Sequence, residues 1–299
     1  MDLTIGFIGL GTMGGPMAQR LISAGYTVVG YDRRPGAVAC CPGLQPAQSA
    51  LKCATAADIL LTSLPRPDHV ESLMRNDGVL TALSDKQIWV DLTTNRRDTL
   101  LAWSAETPAS IVDCPVTGAV DGARNGKLTL FAGGATEVLD QVEPVLSHLG
   151  RVIRCGALGT GTVTKLVTNQ LWFIHAAALG EGFALGMRYG VELETLWDAI
   201  KDSVADSFVA RHDAPSIFAG HYDPSFPLDL CVKDLGLIEE LQPLIGAELP
   251  LTDSAREVFQ RAGTRYGLAA GEMCVAKQIE EDASLSFAMQ GEWVPHWEA

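Results

Sequence analysis

Lys165 follows Gly159-Thr160-Gly161 at the head of a long, proline-free helical pattern, and Asn169 stands four residues further on, hence on the same helical face. A lysine and an amide facing a crevice suit proton transfer with substrate positioning. The ammonium protonates an alkoxide, or the neutral amine accepts its proton, while the amide holds the geometry. Lysine does this near neutrality only where burial or neighbouring charge lowers its pKa from about 10.4 toward 7 or 8. By spacing alone, a solvated lysine beside an asparagine is the simpler reading. The weight must come from the rest of the chain.

The second chemical feature is Gly9-Leu10-Gly11-Thr12-Met13-Gly14, where a strand-like run breaks into glycines and then into helical spacing at Met13, Met17 and Leu21. GxGxxG suits a tight turn, close approach of backbone to a pyrophosphate, and close packing of helix on strand. The anion would sit at the helix N-terminus, where unpaired N–H groups and the dipole favour negative charge. Taken alone, three glycines also fit an ordinary βαβ turn. Asp32 narrows this, because it closes a second strand about twenty residues on, where a carboxylate meets an adenosine ribose.

These groups need a scaffold, and strand and helix signals alternate from residue 1 to about 155. The predicted strands are Thr4 to Ile8, Thr27 to Tyr31, Asp58 to Leu64, Gln87 to Leu92, Ser110 to Val116, Leu128 to Ala132 and Arg151 to Cys155. Helices are predicted at Gly14 to Ala24, Asp68 to Arg75, Asp98 to Glu106 and Thr136 to Leu149. Such alternation calls for a mostly parallel, doubly wound α/β sheet of the Rossmann type. The short Gly-containing link from Val116 to Leu128 turns the sixth strand antiparallel. Ligands in such sheets bind beyond the carboxyl ends of strands, which here read Ser63-Leu64-Pro65, Asp91-Leu92-Thr93-Thr94 and Asp113-Cys114-Pro115-Val116-Thr117-Gly118. Each is singly more often a turn than a site; together they outline one crevice.

After Gly156-Ala157-Leu158-Gly159 the strand signals stop. A long helix is predicted from Gly161 to Tyr189, dense in Ala and Gly from Ala176 to Gly186, so that neighbouring helices can approach it closely. Further helices are predicted at Glu192 to Lys201, Leu228 to Leu241, Asp253 to Ala262 and Glu272 to Glu281. The expected organisation is a dinucleotide-binding domain over 1–158 and an all-α domain over 159–299, with the long helix at its centre, for substrate binding and oligomerisation. The aromatic, Pro-broken tail Glu292-Trp293-Val294-Pro295-His296-Trp297 either docks on a partner subunit or packs down on its own chain.

Bulk properties narrow the function classes. The chain has 299 residues, 47% of them hydrophobic, more than one core usually holds, so two domains are expected. A formal net charge of -14 argues against nucleic acid and against an anionic membrane surface. Seven cysteines, odd in number and irregular in spacing, suit reduced thiols in a cytoplasmic protein. The first strand begins almost at Met1, with no basic, apolar and cleavage-site sequence before it. The most apolar stretch, Leu166 to Gly180, is shorter than the roughly 20 residues that span a bilayer. The six histidines lack HxxxH or HxH spacing, and no metal is expected.

Four segments resemble the β-hydroxyacid dehydrogenase family, which includes 3-hydroxyisobutyrate dehydrogenase and tartronate semialdehyde reductase. GFIGLGTMGGPMAQRL from Gly6 to Leu21 is similar to its cofactor signature, and DCPVTGAVDGARNGKLTLFAGG from Asp113 to Gly134 to its substrate signature. GTGTVTKLVTN from Gly159 to Asn169 resembles the catalytic signature GxGxxxKxxNN, and FPLDLCVKDLGL from Phe226 to Leu237 the Lys-Asp-Leu segment that closes over the cofactor. The resemblance implies NAD(P)-dependent hydride transfer between the nicotinamide and a short 3-hydroxy acid or its semialdehyde. It also implies a helical domain like the C-terminal domain of 6-phosphogluconate dehydrogenase, and a homodimer or homotetramer built through it. Lys165 matches the general acid and base, Asn169 the substrate-binding amide, and Thr117 and Gly118 the anchor for an anionic head group. Thr94 matches the threonine near the nicotinamide, and Lys233 the lysine that reaches the cofactor.

Departures bear on substrate. Thr168 replaces the first asparagine of the pair, Thr117 a serine, Ala119 a glycine, and Arg97 a proline. Asp32 favours free ribose hydroxyls and NAD, whereas Arg33 and Arg34 beside it leave NADP possible. Two other readings stand beside the dehydrogenase. An imine reductase of similar fold usually lacks a lysine at position 165, and a non-catalytic dinucleotide-binding interaction protein would have lost that lysine or gained a basic domain.

Overall fold

The computed structural model describes residues 3–291, so the aromatic tail at 292–297 lies outside the described residues. Residues up to Lys165 form one compact unit and residues from Leu166 onward a second.

The first unit is built on a nine-stranded sheet: β1 Thr4–Ile8, β2 Thr27–Tyr31, β3 Gln45–Pro46, β4 Ile59–Thr62, β5 Ile88–Asp91, β6 Ser110–Asp113, β7 Val116–Thr117, β8 Leu128–Gly133 and β9 Gly150–Gly156. Its order is β3-β2-β1-β4-β5-β6-β8-β7, with β9 also pairing β8. Strands β1 to β6 run parallel, β8 lies antiparallel to β6 as expected, and β9 is parallel to β8.

Side-chain alternation explains why both faces of this sheet are covered. Ile5 and Phe7 of β1, Ile59 and Leu61 of β4 and Ile88 and Val90 of β5 enter one apolar cluster with Met17, Leu21, Val142 and Leu146. Ile8, Leu60 and Trp89, from the same three strands, point into another with Cys53, Leu73 and Trp103. A strand buried on both faces reads as a continuous apolar run, which is how these strands stand in the sequence.

Several boundaries differ from the sequence reading; the helix predicted at Asp253 to Ala262, for one, spans Pro250–Tyr266. The fifth predicted strand, Ser110 to Val116, breaks after Asp113 because Pro115 has no N–H to give the ladder, although its carbonyl accepts from Phe131. The helix predicted from Asp68 starts one residue earlier, with Pro67 in its first turn, and widens into a π turn over Ser72–Asn76. The helix from Thr136 ends at Leu146 rather than Leu149.

The second unit is helical. The long helix, Thr160–Arg188, begins in the first unit, enters the second at Leu166 and is followed by Leu193–Lys201, Leu228–Leu241, Pro250–Tyr266 and Cys274–Asp282. Phe173, Phe183, Phe218, Phe259 and Phe287 fill its core. Two of the small residues on the long helix meet neighbours as closely as expected. A Cβ on Gly180 would stand 2.9 Å from the Ala276 Cα, and one on Gly186 would overlap the Leu196 side chain. Among the described residues no helix is long and apolar enough to cross a membrane.

Candidate active site

Two of the three glycines of the clamp are required by close backbone contacts. Gly9 has φ +94°, and a Cβ there would strike the Ser63 carbonyl at the end of β4. A Cβ on Gly14 would overlap the Gly9 carbonyl, so the third glycine lets the Gly14–Ser23 helix close onto β1. Gly11 is open except toward the Arg34 guanidinium, 3.4 Å from such a Cβ, which leaves its backbone approachable. Among the described residues no side chain caps the helix start at Met13 and no acid stands in its first turn. Its N–H groups and positive dipole end therefore fit a pyrophosphate. Leu10 is buried, Met13 half-buried and Thr12 exposed.

Asp32 is fixed at the end of β2. Its carboxylate accepts from the Leu10 N–H at 2.8 Å and the Arg34 N–H at 2.8 Å, and pairs with Arg34 Nε at 3.2 Å. Burial pushes this carboxyl up, but the bonds from Arg34 and Leu10 outweigh burial and hold it below the ordinary range. An ionised acceptor thus stands beside the glycine turn. Arg33 turns elsewhere, to Asp77 and Ser72 at 3.0 Å each. Both arginines that could reach a ribose phosphate already have carboxylate partners.

Beside the clamp, Leu64 N–H donates to Thr93 Oγ1 at 3.0 Å, which ties the end of β4 to the end of β5. Pro65 is exposed and Thr94 half-buried. Below them lies Asp91, which is fully buried and accepts from Thr62 Oγ1 at 2.9 Å, Asn95 Nδ2 at 2.7 Å and Thr93 N–H at 3.1 Å. Trp89 Nε1 donates to Thr62 Oγ1 and extends the network. Burial pushes the Asp91 carboxyl from its ordinary value of 3.8 up to about 6, against the downward pull of those bonds.

This shift makes stability depend on pH. The folded chain holds the Asp91 proton more tightly than the unfolded chain, so the associated stabilisation is complete below 3.8 and is lost as pH rises through about 6. Raising the carboxyl from 3.8 to about 6 corresponds to about 3 kcal/mol. Thermal unfolding should therefore show Tm rising as pH falls from about 7 to about 5. Asp91→Asn should flatten that rise; a variant with the wild-type slope would show that Asp91 is not the group responsible.

At the end of β6, Asp113 accepts from Gly159 N–H at 2.6 Å and Thr162 N–H at 2.5 Å. Burial raises its carboxyl against those two bonds. The chain continues into the short strand Val116–Thr117, with Thr117 opposite Thr129 of β8. Gly118 follows at φ +122° and Ala119 at φ +55°. The backbone thus keeps a left-handed conformation where this chain has alanine, at a cost of about 1–2 kcal/mol. Thr117, Gly118 and Ala119 are all half-buried.

Lys165 lies in the second turn of the Thr160–Arg188 helix and is 9% exposed. It belongs to the same compact unit as the glycine clamp, Asp32 and Thr117. In the second unit, Asn169 Nδ2 donates to Asp234 Oδ2 at 2.7 Å, and the other oxygen of Asp234 pairs with Lys233 Nζ at 2.8 Å. This carboxylate, 2% exposed, brings Asn169 and Lys233 together. Thr168 is exposed.

Asp91, Asp113 and Asp234 were not singled out individually by the sequence reading. Asp91 and Asp113 were visible only as strand ends, and Asp234 as part of the Lys-Asp-Leu segment. Elsewhere in the second unit Asp213, Asp223 and Glu272 bring carboxylate oxygens within 4.8 Å of one another. Asp213 meets Trp172 Nε1 and His212 Nδ1, and Asp223 accepts from the N–H and hydroxyl of Ser225.

Comparison with known proteins adds the following. Residues 4–159 match the family model for the NAD-binding domain of 6-phosphogluconate dehydrogenase. Residues 159–279 match that for the NAD-binding domain of NADP-dependent 3-hydroxyisobutyrate dehydrogenase. The chain is 34% identical to 2-(hydroxymethyl)glutarate dehydrogenase of Eubacterium barkeri, over 94% of this chain and 95% of that one. The structure of 3-hydroxyisobutyrate dehydrogenase of Mycobacterium tuberculosis with L-serine is similar at TM-score 0.86 and 27% identity, covering 93% of this chain and 99% of that one. An imine reductase from a Pseudomonas species has the same fold at TM-score 0.59 and 19% identity, covering 93% and 99%.

Proposed function

The chain belongs to the β-hydroxyacid dehydrogenase family, and on that premise we propose that Lys165 is the general acid and base of its NAD(P)-dependent hydride transfer. The observation that carries this assignment is a lysine 9% exposed on the helix that opens with Thr160, in the same compact unit as the dinucleotide clamp. When bound, the nicotinamide supplies the hydride chemistry.

The chain's own residues do the rest. In oxidation the Lys165 amine takes the hydroxyl proton; in reduction the ammonium returns it to the alkoxide. The Thr117 hydroxyl and the Gly118 N–H hold the carboxylate of the acid, with Ala119 beside them. Asn169 hydrogen-bonds the substrate with its orientation fixed by Asp234, and Thr168 takes the place of a second amide. Gly9, Leu10, Gly11, Thr12, Met13 and Gly14 present the N–H groups for the pyrophosphate. Asp32 accepts from the ribose, Arg33 flanks it, Leu64, Pro65 and Thr94 line the nicotinamide end, and Lys233 reaches the cofactor. The division of labour is 1–158 for the dinucleotide and 159–299 for substrate and self-association.

The substrate is a short 3-hydroxy acid or its semialdehyde, and NAD is preferred. Support for NAD comes from the ionised Asp32 and from the carboxylate partners of Arg33 and Arg34. Seven unpaired cysteines support a cytoplasmic setting. The lysine at 165 favours hydroxy acids over imines and a catalyst over a non-catalytic binding protein. Nicotinamide absorbance with NAD or NADP and a panel of 3-hydroxy acids tests the reading. Turnover of at least one acid is expected; cofactor binding without turnover of any member would overturn it.

Self-association through the long helix has its own support. Val167, Leu171, Leu185 and Tyr189 are 46%, 53%, 64% and 84% exposed. Their spacing of four, fourteen and four residues puts them on one helical face. Light scattering should give a dimer or tetramer for the wild type and a monomer for the double variant Leu171→Glu, Leu185→Glu. An unchanged mass would take this face out of the interface.

A further inference from the structure

The Thr160–Arg188 helix begins without a cap of its own. Its first four N–H groups have no partner within the helix, and the residue in the capping position, Gly159, has no side chain to offer. Gly159 is the capping residue, since its carbonyl accepts from Val163 N–H at 3.2 Å, and Thr162 is then the third residue of the helix. A capping box satisfies the N–H groups at these two positions by two reciprocal local side chains. Here one carboxylate does both, and it comes from 46 residues earlier in the chain: Asp113 Oδ1 takes Gly159 N–H and Asp113 Oδ2 takes Thr162 N–H.

The seat around that carboxylate has no slack. A Cβ on Gly133 would overlap Asp113 Oδ1. One on Gly161 would overlap the Phe131 carbonyl and stand 2.7 Å from the Asp113 carbonyl. The first turn of the helix therefore rests directly on the backbone of β6 and β8. Asp113 and Thr162 are fully buried, so water cannot replace the two bonds.

Asp113 also stands four residues before Thr117 in the chain, and Thr162 three residues before Lys165, on the same side of the helix. We propose that Asp113 is the positioning residue of the reaction, holding the helix of Lys165 at a fixed distance from the Thr117-Gly118 anchor. This rests on the assignment of Lys165 as the proton-transferring group. The acid is anchored at one end of this short linkage and deprotonated at the other, so an error in Asp113 is felt as a misplaced amine. Displacement of a reacting group by about 1 Å costs on the order of 10²-fold in rate.

The test compares the wild type, Asp113→Asn, Asp113→Glu and Lys165→Ala, with every rate expressed per cofactor-binding site so that misfolded protein is not counted. Asn keeps the size but sets an NH2 group against one of the two N–H donors. Glu keeps the charge but adds a methylene that the glycine-lined seat does not hold. Both should lose about 10²-fold in kcat with cofactor affinity held within about threefold. The deuterium isotope effect on kcat, measured with acid labelled at the hydroxyl-bearing carbon, should rise in both because the chemical step becomes slower than release. A purely structural role would lower the number of sites while leaving kcat per site and the isotope effect at wild-type values, and that result would overturn the proposal. Loss of cofactor binding in both variants would likewise assign Asp113 to folding and overturn it. If Lys165→Ala itself kept the wild-type rate, the failure would lie in the proton-transfer assignment instead.

Discussion

Lys165→Ala is expected to lower kcat by about 10²–10⁴-fold, the usual contribution of a positioned proton-transfer group, and to leave cofactor affinity nearly intact. The first half follows from what alanine lacks: it can neither take the hydroxyl proton in oxidation nor return it in reduction. The second half follows from placement. The proposed clamp is the Gly9 to Gly14 turn, Asp32 and the ends of β4 and β5, all in the strand-and-loop part of the first unit, whereas Lys165 stands on the Thr160–Arg188 helix. Folding should survive as well. Steady-state kinetics beside a cofactor titration separates these effects, and a variant with near wild-type kcat would refute the assignment.

The second large effect concerns cofactor choice. Asp32→Ser should shift the ratio of kcat/KM for NADP over NAD upward by about 10²-fold or more. Two like charges about 4 Å apart near a protein surface repel by about 4 kcal/mol, so an ionised Asp32 disfavours a ribose phosphate strongly. Its removal abolishes that repulsion and releases Arg34, now paired with Asp32 at 3.2 Å, to meet the phosphate. NAD should suffer at the same time, because the carboxylate also holds the Leu10 N–H of the glycine turn. An unchanged ratio in the variant would mean that the end of β2 does not select the cofactor.

Much of this architecture was legible in the residues, for reasons the structure makes physical. Gly9 and Gly14 each lack a Cβ for a separate steric reason, and Gly11 leaves its backbone approachable. The parallel strands were readable because burial on both faces leaves no polar alternation in Ile59 to Leu61 or Ile88 to Val90. The long helix was readable from its length without proline and from its small residues, two of which do meet close neighbours.

What escaped has a common cause. Strand β3 is only Gln45–Pro46 and exists through pairing with β2, a contact with no trace in local composition. The turns at Val209–Asp213 and Ala214–Phe218 join a π turn to a helix with Pro215 in its first turn, and neither gives a clean helical period. Asp113 and Asp234 each read as ordinary acids at an element's end or surface. Their importance lies in partners 46 to 65 residues away, a separation that no window along the chain can span.

Chemical rescue tests the central claim most directly. With saturating NAD and a turned-over 3-hydroxy acid, small primary amines of graded basicity are added to Lys165→Ala and NADH formation is followed. The expected result is a rate that rises with amine concentration and tracks amine basicity, because the added amine takes the proton that Lys165 would have taken. NADH formation at the wild-type rate without any amine would contradict the claim.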